Sequence, residues 1–297
     1  MQKLDVQDQK ARKIAKTYMG DVAWPTVILG CVVFASYFAT PLLVANGILP
    51  LFVALPIMVL LTYAAYTVMH EAAHGSINGS QTSLRWLNEL MGYGAGLVFM
   101  VPLTAHRHEH LAHHRNTNDP EMDPDYPVSG ISESGFRAAK ITLSLLWSNY
   151  RYYIKHRWNC APKSQNLRFC LEIALAVGLR LVFMAQGLWF EGFVLFFLGG
   201  LGGAILLMYL FAYLPHRPYN STERYENTAT FVIPGVFGKL VTVLWGFQNY
   251  HSIHHLFPRV PFYKYRAVFD EIEETMAAKR APVHHWRPSQ ASVYPMG

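Results

Sequence analysis

Cysteine is scarce in this sequence. Cys31, Cys160 and Cys170 are the three present and none forms a C-x-x-C pair, which excludes a disulfide framework and argues against thiolate sites for zinc or an iron–sulfur cluster. No G-x-G-x-x-G run and no C-x-x-C-H occurs either, so a dinucleotide or flavin fingerprint and a c-type haem attachment are absent. Charge is sparse: Asp, Glu, Lys and Arg make up 15% of the chain, against about 25% in soluble globular proteins. The N-terminal residues 1–20 carry charges and no apolar run, unlike a secretory signal, so the first apolar segment is expected to stay in the mature chain.

What the sequence has is hydrophobic length. With 52% hydrophobic residues and a mean hydropathy of +0.15, the 297 residues read as one membrane domain rather than two soluble ones. Apolar runs of about 20 residues, enough for a helix to cross roughly 30 Å of hydrocarbon, lie at about 24–45, 48–69, 169–185 and 190–213. Short uncharged connections pair them into two hairpins. Lys3, Lys10, Arg12, Lys13 and Lys16 precede the first run, and Arg107, Arg115, Arg217 and Arg259 follow the second and fourth. That bias places both termini, segment 1–20 and tail 267–297, in the cytoplasm. It also accounts for the net charge of +6 through anionic headgroups, without nucleic acid.

Two weaker apolar stretches, 90–105 and 231–250, are broken by Gly92, Gly94, Gly96 and Pro102, and by Pro234, Gly235, Gly238 and Gly246. They are expected to be re-entrant or interfacial helices. Residues 118–134 read as a turn-rich loop, 136–158 as an amphipathic helix on the headgroups, and 267–279 as an exposed helix. The expected fold is thus all-α and integral to the membrane: four transmembrane helices in two hairpins, interfacial or re-entrant helices, and a cytoplasmic histidine-rich cap.

Fourteen histidines occur, and most fall at the proposed cytoplasmic helix ends. His70-Glu-Ala-Ala-His74 closes the second run with an i, i+4 pair on one helical face. His110-x-x-His113-His114 follows the first weak stretch and His251-x-x-His254-His255 the second. Desolvating so many imidazoles with no cation to coordinate costs several kcal/mol, so the boxes are candidate metal ligands. Their number exceeds the three protein ligands of a catalytic zinc and suits two ions, but spacing does not separate di-iron from di-zinc. Residues 70–74 also fit H-E-x-x-H, a zinc-protease signature. That reading, an intramembrane zinc protease, leaves the other two boxes unexplained. A metal transporter would carry its histidines inside the spans.

The set of boxes resembles the membrane fatty acid desaturase superfamily. Residues His110 to Asp125, HLAHHRNTNDPEMDPD, are similar to the second box and following loop of β-carotene hydroxylases, and Tyr213-Leu-Pro-His216-Arg-Pro218 to a motif of β-carotene ketolases. The resemblance covers roughly residues 60–270. It implies two iron ions held by His70, His74, His110, His113, His114, His216, His251, His254 and His255, with His216 completing the set, dioxygen as co-substrate, and a long apolar lipid substrate from the bilayer. It also implies an external electron donor of the ferredoxin or cytochrome b5 type. The expected reaction is hydroxylation of a β-carotene-type ring, with fatty-acyl desaturation as the alternative. Stearoyl-CoA desaturases have a wider first box and an Asn where this chain has Ala212, which argues against that subtype. His106 and His108 are candidates to assist the ligands, as are Glu71, Glu109, Asp119, Asp123 and Asp125. His156, His284 and His285 read as surface residues.

Overall fold

The structure is a computed structural model that describes residues 5–286. Its helices are α1 (Val6–Thr17), α2 (Trp24–Ala45), α3 (Leu51–His74), α4 (Arg85–Phe99), α5 (Leu103–Arg115), α6 (Gly135–Leu145) and α7 (Ser148–His156). They continue with α8 (Lys163–Met184), α9 (Trp189–His216), α10 (Gly235–Leu244), α11 (His251–Leu256) and α12 (Tyr265–Ala278). By length and composition, three of them, α2, α3 and α9, can cross a membrane.

α2 starts with Pro25 in its first turn, where proline removes no intrahelical bond. α3 begins at Leu51 rather than 48 because Pro50 precedes it as N-cap. Its end is fixed by a Schellman closure: Ser76 N–H donates to the Glu71 carbonyl and Gly75 N–H to the Ala72 carbonyl, both at 3.2 Å, with Gly75 at φ +65°. That stop makes the first histidine box the last turn of α3.

α4 has 15 residues, about 22 Å, too short to cross hydrocarbon. It folds back through residues 100–102 onto α5. A Cβ at Gly96 would lie 2.8 Å from the Val101 carbonyl oxygen, so only glycine permits this turn. Gly96→Ala is expected to destabilise the protein by about 1–3 kcal/mol, read as a lower unfolding midpoint in detergent.

α8 differs from the other long helices. It has 22 residues but carries Lys163, Arg168, Glu172 and Arg180, and so falls outside the three apolar helices where four were expected. Two of those charges serve the α4–α5 hairpin. Arg180 Nη2 donates to the carbonyls of Leu97 (2.9 Å) and Val98 (3.0 Å) at the end of α4 and to Tyr37 Oη (2.7 Å). Eight residues earlier, Glu172 accepts from Thr104 N–H (3.4 Å) and Thr104 Oγ1 in the first turn of α5. Each charge has the sign that its helix end attracts.

In α9, a Cβ on Gly199, Gly202 or Gly203 would meet Met58, Val59 or Thr62 of α3 at 2.6–2.8 Å. These glycines let the two backbones approach closely.

Two expectations need correction. Segment 136–158 is two helices, α6 and α7, broken around Leu146 and Trp147. The chain is also not wholly helical: β1 (Thr230–Val232) pairs in parallel with β2 (Val283–His285), residues 233–282 supplying the long crossover that parallel strands need. Segment 231–250 is thereby divided between β1 and the ten-residue α10. The expected tail helix at 267–279 is α12, and residues 287–297 lie outside the described residues.

Candidate metal centre

Four chain segments converge on one buried site: the last turn of α3, the second half of α5, the end of α9 and the short α11. α11 is aimed by a tight reversal, with Gly246 at φ +59° and Phe247 at φ +62°. Asn249 Nδ2 anchors it to the Phe231 carbonyl (3.0 Å) and to Thr242 Oγ1 (3.1 Å).

All nine candidate histidines meet there, in two adjacent groups. His70, His74, His110, His114 and His254 place one ring nitrogen each within 4.8 Å of one another, and His113, His216 and His255 do the same. His251 joins the second group, its Nε2 lying 3.2 Å from His216 Nε2 and 3.1 Å from His255 Nε2. The rings of His114 and His255 stack at 4.3 Å across the boundary. Helical geometry divides each H-x-x-H-H box. In α5 the i, i+4 pair His110 and His114 serves the first group and His113 the second; in α11 the i, i+4 pair His251 and His255 serves the second and His254 the first.

Most of the outer nitrogens in α5 and α11 are held by neighbours. His113 Nδ1 donates to Asp123 Oδ1 (2.8 Å), whose carboxylate also accepts from Asn118 N–H (2.8 Å) and Asp125 N–H (2.9 Å). His251 Nδ1 meets Gln248 Oε1 (2.6 Å), His254 Nδ1 meets Tyr265 Oη (3.1 Å) and His255 Nδ1 meets Thr117 Oγ1 (3.3 Å). Such partners fix ring orientation and leave Nε2 free to ligate.

The inward nitrogens then face one another: Nε2 to Nε2 distances are 2.8 Å for His254 and His114 and 3.1 Å for His114 and His110. Buried His70 has no hydrogen-bond partner at either nitrogen, nor has His74 at Nε2 or His216 at Nδ1. Burial first, then repulsion from neighbouring imidazoles, holds His110, His114, His254 and His255 well below the usual histidine range and His251 down to about 3. Protonation therefore does not relieve the crowding. Converging neutral lone pairs are what a pair of cations requires, and the residues present fit one. In His113 burial also opposes charge, but the Asp123 hydrogen bond and the two nearby carboxylates outweigh it and raise the pKa.

Asp123→Asn is expected to weaken metal binding roughly 10–100-fold, read by titrating metal into the apoprotein, because a neutral amide no longer polarises His113.

The other candidates part ways. Glu71 is turned away from the imidazoles, accepting from Thr26 Oγ1 (2.6 Å) and Phe262 N–H (2.8 Å), which removes the water-activating glutamate that a zinc protease needs. Asp119 caps its own loop through the N–H groups of Glu121 and Met122. His108 points to Gln165, and His284 stacks on Phe231. His106 is buried, with Nδ1 3.1 Å from Asn149 Oδ1 and no partner at Nε2. Glu109 is buried with Oε1 unpartnered; burial, then repulsion from Asp125, raises its pKa well above the carboxylate range, and burial pushes Asp125 up to about 6.

An apolar cavity of about 510 Å³ reaches this site. Tyr66, His106, Glu109, His110 and Phe211 border it at the histidine end, and Leu181, Met184, Phe193 and Phe197 at the other.

A family model described as fatty acid desaturase matches residues 46–287. The chain is similar to the sn-1 oleoyl-lipid 12-desaturase of Picosynechococcus, with 27% identity covering 85% of this chain and 77% of that protein. It is also similar to a fatty acid desaturase of Bacillus subtilis (23%, covering 70% and 64%) and to the chloroplastic omega-6 fatty acid desaturase of Arabidopsis thaliana (26%, covering 70% and 50%). Of the last two, the match spans less than two thirds of the relative's length.

Proposed function

The chain belongs to the fatty acid desaturase family, and from that premise we propose that it inserts a double bond into an acyl chain of a membrane lipid, using two iron ions and dioxygen. The observation that carries this reading is the opening of a long apolar cavity beside nine converged imidazoles. The relatives above are named as acyl desaturases, which supports acyl chemistry and lends no support to carotenoid-ring hydroxylation. The resemblance that favoured a carotenoid rests largely on residues that serve the centre. Asp123 holds His113, Asn118 ties its loop to the carbonyls of Ser221 and Asn227, and His216 is itself one of the nine; a centre of this kind needs such residues whatever its substrate.

The net reaction is –CH2–CH2– + O2 + 2 electrons + 2 protons → –CH=CH– + 2 H2O, which makes the enzyme an oxidoreductase. Bound iron would supply the dioxygen reduction and oxidising power that C–H cleavage demands. Five imidazoles in the first group exceed the four ligands of tetrahedral zinc and favour a metal of higher coordination number. The protein's residues position and shield. His70, His74, His110, His114 and His254 would hold one ion, and His113, His216, His251 and His255 the other. Tyr66 and Phe211, whose rings lie 5.7 and 5.8 Å from His70, would cover that imidazole on the cavity side and keep water from it. Electrons would come from a ferredoxin or cytochrome b5 type donor, attracted to the basic cytoplasmic face.

In the bilayer, α8 would join α2, α3 and α9 as a fourth span. The α4–α5 hairpin would dip in and return, keeping all boxes cytoplasmic, while α10, with Val236, Phe237, Leu240, Val243 and Leu244 exposed, would lie in the interface.

Expression in a β-carotene-producing bacterium, with total fatty acids and pigments measured together, tests the function. A new acyl double bond with unchanged pigment is expected. Hydroxylated carotenoid with unchanged acyl chains would overturn the reading.

A further inference from the structure

One face of α9 walls the cavity from end to end. Phe193, Phe197, Gly200, Ala204, Leu207 and Phe211 recur at helical spacing along it. The side chains are large at both ends and small in the middle. Phe211 reaches the histidines, and Phe193 and Phe197 are about half exposed on the outer surface.

Gly200 stands apart from its neighbours. Gly199, Gly202 and Gly203 are explained by contact with α3, because a Cβ on any of them would collide there, whereas a Cβ on Gly200 would meet nothing within 4 Å. Helix packing therefore gives no reason for glycine at 200, and the cavity does. Gly200 lies eleven residues before Phe211, about 16 Å along the helix axis.

The cavity also has a direction. Most of its polar lining lies at the histidine end: the unpartnered buried atoms His106 Nε2 and Glu109 Oε1, together with Asp125, Ser148 and Asn149. Arg180 borders the other part; its Nη atoms are engaged by Ala176, Tyr37, Leu97 and Val98, which leaves its buried Nε as the one nitrogen of the guanidinium without a partner. An amphiphile would thus lie with its polar part toward the histidine end and its apolar terminus past Gly200.

On the acyl reading above, we propose that Gly200 sets chain-length specificity: the absence of a side chain there lets the methyl-terminal part of the acyl chain extend beyond the metal centre. A side chain at 200 would close this passage and restrict the enzyme to chains with a shorter methyl-terminal portion.

The experiment compares wild type with Gly200→Ala and Gly200→Leu in full-length enzyme, in a host supplied with acyl chains of graded length, with products quantified by gas chromatography. Leucine is a better helix former than glycine, and a monodisperse detergent profile with wild-type iron content verifies folding. The ratio of long-chain to short-chain product should fall in the order Gly, Ala, Leu, by about tenfold or more for leucine, the discrimination typical of a pocket one or more methylenes too short. Folded Gly200→Leu with an unchanged ratio, whether overall product is retained or lost at all lengths alike, would overturn the proposal while leaving the acyl reading in place. Wild type that makes no acyl product at any length would overturn the acyl reading, and the proposal with it.

Discussion

His254→Ala is expected to remove product formation to background and to lower bound iron, whereas Tyr265→Phe, which alters only the partner of the same ring, is expected to cost roughly 10–100-fold in metal affinity. His254 is fully buried, its Nε2 lies 2.8 Å from His114 Nε2, and its ring lies 4.1 Å from His70. It thus reaches the nitrogens contributed by both α3 and α5, and its removal takes away the only α11 donor to the first group. Tyr265→Phe leaves every inward nitrogen in place and deletes only the hydroxyl 3.1 Å from His254 Nδ1, so the ring loses its hold on tautomer and orientation. The two variants are separated by metal titration combined with turnover. Full iron content and activity in His254→Ala would sink the assignment of the first group.

The convergence of these imidazoles was legible in the sequence because helical spacing is a strong local signal. His70 and His74, His110 and His114, and His251 and His255 are i, i+4 pairs, and each lies in a helical turn with its partner. His216 has no such pair and was reached through resemblance alone; the fold brings its Nε2 to 3.2 Å from His251 Nε2. The allocation of five imidazoles to one group and four to the other was not legible, since it depends on the mutual rotation of α5 and α11. Among the outer partners, Asp123 stood out as a carboxylate near a box. Gln248, Tyr265 and Thr117 did not, because neutral residues near a helix end carry no distinctive pattern, and Tyr265 acts from the next helix. The small sheet was missed for a related reason: three-residue strands are too short for a period-2 signal. The family was legible in the boxes and the substrate was not, because the box-flanking residues Asp123 and Asn118 pack around the histidines, whereas cavity-wall residues such as Gly200 carry no motif.

The charges of α8 show how composition and structure combine, and they lead to the second large effect: Arg180→Leu is expected to destabilise the protein by about 3–5 kcal/mol. Read as a span, residues 169–185 are apolar with an intrusive arginine, and leucine there makes a better membrane helix by hydropathy alone. In the folded chain, however, Arg180 is 8% exposed and is the donor for the Leu97 and Val98 carbonyls, which lie at the end of α4 where no further turn of helix satisfies them. Leucine leaves both carbonyls and the Tyr37 hydroxyl without this donor, at about 1–3 kcal/mol for each group stranded out of water. Because α5 follows directly from that turn and carries His110, His113 and His114, loosening the hairpin should also lower iron content per chain. Arg180→Lys keeps the charge but replaces the planar, forked donor set with a single ammonium, and should fall between. The measurement is the thermal unfolding midpoint in detergent across the three proteins, with iron per folded chain alongside. A midpoint for Arg180→Leu equal to or above wild type would mean that hydropathy, rather than helix capping, governs this position.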